Sequence, residues 1–406
     1  MDIIIQKFGG TSVATKEIRE IVAHKVIKAK KEGKHPVVVV SAIGRKGDPY
    51  ATDTLIDLAN TTFKECHSRE LDMIMACGEI ISSVILANTI KSLGYSAVAL
   101  NGYQAGIITD HNYGNAEVMR VDTQKILTFL EKGFIPVVTG FQGMTEDGEF
   151  TTLGRGGSDT SAALLGEALA ADVVEIYTDV EGVMTADPRL VPEARVINSI
   201  GYDEIYQMAE DGAKVVHPRA VVIARRGNLT LKVKSTLSNS PGTVINNKEL
   251  YIDKYDKNTS MDNLLTAITH KNDIAQVTVY FEDSIETNEL LMDALTNNYI
   301  SIDLINFFID KKIFTIDLEK VEQVENILIK NEFDYNIIKD CSKVTAIGHK
   351  MRGIPGVMGR IVKALARENV KILQSADSHT TISCLVKKED IEVAVNALHR
   401  EFNLAK

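Results

Sequence analysis

Residues 3–12 read Ile-Ile-Ile-Gln-Lys-Phe-Gly-Gly-Thr-Ser. An apolar, β-branched run ends in a lysine and two glycines, which predicts a strand entering a glycine-rich turn with a helix beyond it. Gly9 and Gly10 carry no Cβ, so their backbone N–H groups can approach a ligand closely, and a helix starting after them adds its positive dipole end. Phosphate suits such a loop. A plain strand-to-helix turn with Lys7 on the surface accounts for the same residues equally well. The stretch is neither a GxxxxGK[ST] phosphate loop nor a GxGxxG dinucleotide turn.

The same alternation continues outward. Strand runs at Ile3 to Lys7, Pro36 to Ser41, Ala97 to Leu100, Ile135 to Thr139, Val173 to Thr178 and Leu229 to Lys234 are separated by helical patterns such as Glu17 to Lys31, Asp72 to Leu93 and Ser158 to Ala171. This predicts an α/β domain over residues 1–245, a mostly parallel sheet sandwiched by helices, with ligands beyond the carboxyl ends of the strands. Residues 246–263 are polar and aperiodic, which reads as a linker. Strand, helix, strand, strand, helix, strand then recurs, predicting two ferredoxin-like α+β modules at 264–340 and 341–406. Two such copies suggest a regulatory tandem.

Composition narrows the function classes. The 406 residues carry a formal charge of −10, which argues against a nucleic-acid surface. The 4 cysteines, Cys66, Cys77, Cys341 and Cys384, have no CxxC spacing and predict reduced thiols without disulfide or zinc, as in a cytoplasmic protein. No basic leader and no apolar run of membrane-spanning length is expected.

A second glycine-rich loop favours the phosphate reading of the first. Residues 151–163, Thr-Thr-Leu-Gly-Arg-Gly-Gly-Ser-Asp-Thr-Ser-Ala-Ala, surround Arg155 with three glycines and then open a helix. Ser158 or Asp159 reads as its N-cap, and Gly156-Gly157 beside a guanidinium makes an anion cradle. Asp179 and Arg189, in the loop after the strand ending at Thr178, suit a nucleotide. Lys214 precedes a helix started by Pro218, where a solvated lysine is the simpler reading. Glu79 follows Gly78 within a long helix, the usual place of a solvated carboxylate.

Taken together, KFGGTS at 7–12, CGE at 77–79, TTLGRGGSDTSA at 151–162, YTDVEGVMTADPR at 177–189 and GAKVVHPRA at 212–220 resemble the motif series of aspartate kinases. The C-terminal repeat is similar to that family's paired ACT modules, so the resemblance covers essentially the whole chain, and no fused homoserine dehydrogenase is expected. It implies an amino-acid-kinase domain that transfers the γ-phosphoryl group of ATP to the β-carboxylate of L-aspartate. That reaction gives 4-phospho-L-aspartate, the first step toward lysine, threonine, methionine and diaminopimelate.

Carried over by position, the resemblance makes Lys7 and Asp159 catalytic. It assigns Thr52, Glu79, Arg155 and Ser158 to the substrate, with Glu79 receiving its ammonium and Arg155 a carboxylate. Lys7, Gly9, Gly10, Thr178, Asp179, Met184, Arg189 and Lys214 fall to ATP. Magnesium is expected on phosphate oxygens and water, with no protein ligand. The ACT modules imply a homodimer or larger homo-oligomer and feedback inhibition by lysine, threonine or both. The effector residues are Asp303, Ile354, Pro355, Gly356, Val357 and Gln374; Asp303 also reads as a solvated strand-end carboxylate. In the family the first module is inserted into the second, which pairs Thr266 to His270 with the distal sheet. The first copy departs from the pattern at residues 282–287, which lack the usual glycine turn. Two competitors remain: a kinase of the same fold for another acidic amino acid, and an amino-acid sensor whose kinase half is inactive.

Overall fold

The computed structural model describes residues 1–63, 65–213, 215–247, 264–281, 284–349, 351 and 354–405. The chain divides into two units. The first holds strands β1 (Ile3–Phe8), β2 (His35–Val40), β3 (Ala97–Leu100), β4 (Ile107–Thr109), β5 (Val118–Val121), β6 (Ile135–Thr139), β7 (Gln142–Met144), β8 (Phe150–Thr152), β9 (Val173–Thr178), β10 (Ser199–Gly201), β11 (Leu231–Ser235) and β12 (Thr243–Asn246). Its helices are α1 (Lys16–Lys31), α2 (Thr52–Thr62), α3 (Ser68–Ser92), α4 (Gln124–Glu131), α5 (Gly157–Ala168), α6 (Tyr202–Glu210) and α7 (Pro218–Arg226), of which α6 ends one residue into the second unit.

Eight strands form one sheet in the order β10-β12-β11-β9-β1-β2-β6-β3, and every pairing except β11 with β12 is parallel. Val37 to Val40 are fully buried, as a central strand covered on both faces requires. Phe8, Val38, Val40 and Tyr177 share a core with Val22, Val26, Leu86 and Ile90, so α1 and α3 cover one face. The other is covered by α5, whose Gly166 lies against Val174 and which packs on α7. Strand alternation places Lys7 on this second face, opposite its neighbours Gln6 and Phe8. Helix α3 is, by length and composition, apolar enough to cross a membrane, which the sequence reading did not anticipate. Its inward face is built into the sheet's core, with Leu86 and Ile90 fully buried. A small sheet of order β5-β4-β7-β8 was also unforeseen, because its strands have only 3 or 4 residues each.

The second unit is one six-stranded antiparallel sheet rather than two separate ones. Its strands are β13 (Leu265–Tyr280), β14 (Asp303–Phe307), β15 (Lys311–Asp317), β16 (Asp334–Gly348), β17 (Gln374–Asp377) and β18 (Thr381–Lys387), in the order β14-β15-β13-β16-β18-β17. The 16-residue β13 and 15-residue β16 run through both halves, where the sequence reads as four shorter strands. Their register pairs Ala267 with Ile347 and Ile268 with Ala346. Helices α8 (Ile285–Thr296) and α9 (Val321–Lys330) close one apolar core, and α10 (Val357–Arg367) and α11 (Ile391–Glu401) another. Residues 184–195 and 210–213 belong to this unit although they fall within the first 245 residues. Ala186 and Val191 are buried in its core, and Thr185 accepts a backbone hydrogen bond from Ile268 at 2.8 Å.

Candidate active site

Parallel order sets the carboxyl ends of β9, β1, β2 and β6 side by side, and the loops leaving three of them line one cleft of about 320 Å³. Its walls include Lys7 near the end of β1 and Gly10 beyond it, Ser41, Ala42 and Gly44 to Lys46 after β2, Ala51 to Asp53 where α2 begins, Phe141 after β6, and Gly154 to Asp159 at the start of α5. Glu79 of α3 closes one side.

The two glycine-rich loops meet through their charged residues. Lys7 Nζ lies 2.7 Å from Asp159 Oδ1, each side chain 13% exposed. Asp159 Oδ2 also accepts the His217 N–H, at 3.2 Å. Gly10 is required by close approach, since a Cβ there would stand 2.6 Å from the carbonyl oxygens of Ala42 and Gly44. A plain turn needs no such second loop against it.

The helix expected from Glu17 begins at Lys16, where Thr15 Oγ1 caps the Ile18 N–H at 3.3 Å, and a 3-10 turn over Gly10–Val13 separates it from the glycines. The helix terminus in the cleft is therefore that of α5. Its N-cap is Gly156, left-handed at φ 69°, with no side-chain cap; Ser158 and Asp159 lie inside the first turn. A cap hydroxyl would have filled the free N–H groups of that turn, and leaving them uncapped suits an anionic guest.

Glu79 is the strongest departure from a solvated helix face. It is 2% exposed, its Oε1 accepts the Ala42 N–H at 3.0 Å, and Oε2 has no partner among the described residues. Burial pushes its carboxyl up to about 8. Such a group gains its charge most readily when a cation arrives. Arg155, by contrast, is exposed and makes no ion pair among the described residues, leaving its guanidinium fork open. Thr52 opens α2 at the cleft wall, and Ser158 accepts a hydrogen bond from Ser41 at 2.9 Å.

The nucleotide positions are less gathered. Thr178 ends β9 and donates to Asp179 Oδ1 at 3.1 Å, and Asp179 pairs with the cleft residue Arg45 at 2.7 Å. Met184 and Arg189 sit in the 184–195 segment of the second unit, where Arg189 pairs with Asp187 at 2.6 Å. Lys214 lies outside the described residues. Sequence reasoning missed Ser41, Gly44, Arg45 and Lys46. Their signal was available: residues 37–47 repeat the grammar of the opening stretch, an apolar run followed by glycines and cations.

In the second unit, Ile354, Gly356 and Val357 line a cavity of about 320 Å³ with Ser375 and Asp377, and Pro355 lies in the same turn. Gln374 is instead held between strands, accepting from Gln276 at 2.9 Å and donating to Asn306 Oδ1 at 2.6 Å. Asp303 is an exposed carboxylate, but it is not unpaired, because Lys343 Nζ sits 2.5 Å from its Oδ2.

Residues 2–235 match the amino acid kinase family and residues 336–400 an ACT domain. Aspartokinase 1 of Bacillus subtilis (strain 168) is 42% identical over 412 residues, covering 100% of both chains. This chain belongs to the aspartokinase family. A solved aspartate kinase from Synechocystis shares 34% identity at a TM-score of 0.55, covering 99% of this chain and 69% of that one. E. coli aspartokinase III shares the fold at a TM-score of 0.80 and 24% identity, covering 98% and 99% of the two chains. The chain is thus an aspartate kinase with C-terminal ACT domains, which removes the sensor reading. In this aspartokinase the Lys7–Asp159 pair, the uncapped α5 terminus and the buried Glu79 bring one cation, one helix end and one buried carboxylate to the same region of the fold.

Proposed function

We propose that this aspartokinase transfers the γ-phosphoryl group of ATP to the β-carboxylate of L-aspartate, giving 4-phospho-L-aspartate and ADP. The reading rests on one observation: Lys7, Asp159, Glu79 and Arg155 line a single cleft. A β-carboxylate oxygen attacks the γ-phosphorus, the bond to the bridging oxygen breaks, and ADP leaves with that electron pair. With an ordinary pKa of about 3.9 the attacking carboxylate is already ionised, so no base is needed. The obstacle is repulsion between two anions.

Lys7 lowers it by placing an ammonium where charge builds up, and Asp159 aims that ammonium. Arg155 supplies a fork for the α-carboxylate, and Glu79 takes the ammonium group. Gly9, Gly10 and the α5 terminus offer N–H groups to phosphate oxygens. Magnesium would enter on those oxygens and neutralise their charge. Asp159 is engaged by Lys7 and the His217 N–H, and we assign the metal no protein ligand.

The relatives support this assignment. E. coli aspartokinase III has been solved with aspartate and ADP, and also with lysine and aspartate. We extend it to feedback inhibition by lysine, threonine or both, acting in a cytoplasmic homo-oligomer at the head of their biosynthesis, with the cavity around Ile354 to Val357 as the effector candidate. Measuring ADP release with aspartate, glutamate and N-acetylglutamate as acceptors tests the reaction. Turnover with aspartate and little with the other two is expected; indifference to aspartate would refute it. Titrating lysine, threonine and their mixture during turnover tests the regulation.

A further inference from the structure

Asp72 takes no part in the chemistry above, yet it is completely buried on α3. Its Oδ2 accepts the N–H groups of Gly114 at 2.9 Å and Thr152 at 2.8 Å, and its Oδ1 accepts the Thr152 hydroxyl at 2.7 Å. No cation pairs with it among the described residues. Burial pushes its pKa up against the pull of these hydrogen bonds. A buried carboxylate without a counter-ion is a costly way to fill space, so its position needs a reason beyond packing.

The reason is what it joins. Glu79 lies seven residues further along α3, two turns and about 10 Å away on the same side of the helix. Thr152 ends β8 only three residues before Arg155. From the other side, Arg219 Nη1 donates to the Leu153 carbonyl at 2.6 Å and its Nη2 to Asn115 Oδ1 at 2.6 Å. Only Gly154 separates this doubly held segment from Arg155. One rigid helix therefore carries Glu79 directly and anchors the Arg155 loop through Asp72.

We propose that Asp72 is a positioning residue that makes α3 a ruler between Glu79 and Arg155, and thereby sets the preference for aspartate over its one-methylene-longer homologue, glutamate. The inference rests on the aspartate kinase reading. The two acceptors differ by a single CH2, a difference that a rigid site discriminates by about 10- to 200-fold. A loosened Arg155 loop gives up part of that factor while leaving the nucleotide's contacts in place.

The test compares wild type with Asp72→Ala, Asp72→Asn and Thr152→Val, measuring kcat and KM for aspartate, glutamate and ATP. Asp72→Ala is expected to raise the aspartate KM about tenfold, leave the ATP KM within about twofold, and lower the aspartate-to-glutamate ratio of kcat/KM by about fivefold or more. In Asp72→Asn the amide oxygen still accepts both N–H groups and the NH2 donates to a reversed Thr152 hydroxyl, so near wild-type behaviour is expected. If Asp72→Ala does not fold, Thr152→Val, which removes only the hydroxyl bond, decides with the same pattern at about threefold. Equal rises in both KM values, an unchanged acceptor ratio in a folded variant, or no rescue by Asp72→Asn would overturn the ruler while sparing the activity. Failure of wild type to phosphorylate aspartate would overturn both.

Discussion

Lys7 Nζ and Asp159 Oδ1 stand 2.7 Å apart, joining the end of the first strand to the first turn of α5 across 152 residues of sequence. The carboxylate fixes where the ammonium points, and in the proposed reaction that direction is its contribution. Lys7→Met removes the charge but keeps most of the stem. It should lower kcat by about 10²- to 10³-fold with a smaller change in the aspartate KM, because the contact strengthens as charge builds up. Steady-state kinetics at saturating ATP decide it, and an unaffected kcat would end the electrostatic role assigned to Lys7.

Glu79 predicts a pH signature. With its carboxyl raised to about 8, the free enzyme holds it mainly protonated at pH 7 and ionises it above. Since the carboxylate is the form that receives an ammonium, kcat/KM for aspartate should climb with pH and level off above about 8. Glu79→Gln should flatten this limb. Stability carries the opposite sign: the folded state binds the proton more tightly than the unfolded chain, so this group's contribution is greatest in acid and is lost as pH rises through about 8. Thermal melting of wild type and Glu79→Gln across that range should therefore converge at low pH.

Much of the catalytic half was readable because its signals are local. The opening glycine-rich loop follows its own apolar run, so strand, turn and cation announce one another within a dozen residues, whereas the second follows a mostly polar stretch and is read from its glycines and Arg155 alone. The resemblance marked Lys7 and Asp159 as catalytic, but their meeting was not legible in spacing, since sheet order brings them together. Read alone, Glu79 resembles a solvated helix carboxylate, and only the family resemblance placed it at the substrate: burial of a helix face depends on the loop after β2, whose Ala42 N–H it holds. In the second unit, β13 and β16 read as broken because polar stretches such as Lys271 to Asp273 interrupt their apolar patterns. Register shifts within the β13–β16 pairing absorb those interruptions while the strands continue.

Gly156 offers a test of the α5 cradle. It holds φ at 69°, and a Cβ there would lie 2.0 Å from the His217 ring. Gly156→Ala faces both backbone strain and a ring that must move, and the loss of stability should be about 1–3 kcal/mol. Moving His217 also disturbs its N–H bond to Asp159. The variant should lose kcat more than a mere destabilisation explains, which assays well below its melting temperature would separate; full activity there would show that the cap geometry is not needed.

Lys343 gives the last prediction, in the regulatory unit. Its ammonium lies 2.8 Å from Asp211 and 2.5 Å from Asp303, and its side chain is only 8% exposed. Burial by itself lowers a lysine pKa, but the charge of Asp211 and the bonds to both carboxylates outweigh it and leave the value above the ordinary one. The stabilisation is therefore present throughout the neutral range and is lost only as pH rises through that raised value. Lys343→Met strands Asp211, itself 10% exposed, and should cost about 3–5 kcal/mol. Adding Asp211→Leu removes the stranded charge and should recover most of the loss. Asp303 is 56% exposed and water screens it, so Asp303→Asn should cost far less. Melting temperatures of the three variants at low and high salt check this ranking. Because Lys343 and Asp211 are shielded from solvent, the gap between wild type and Lys343→Met should change little with ionic strength, and a gap that collapsed in salt would mark the pair as a surface one.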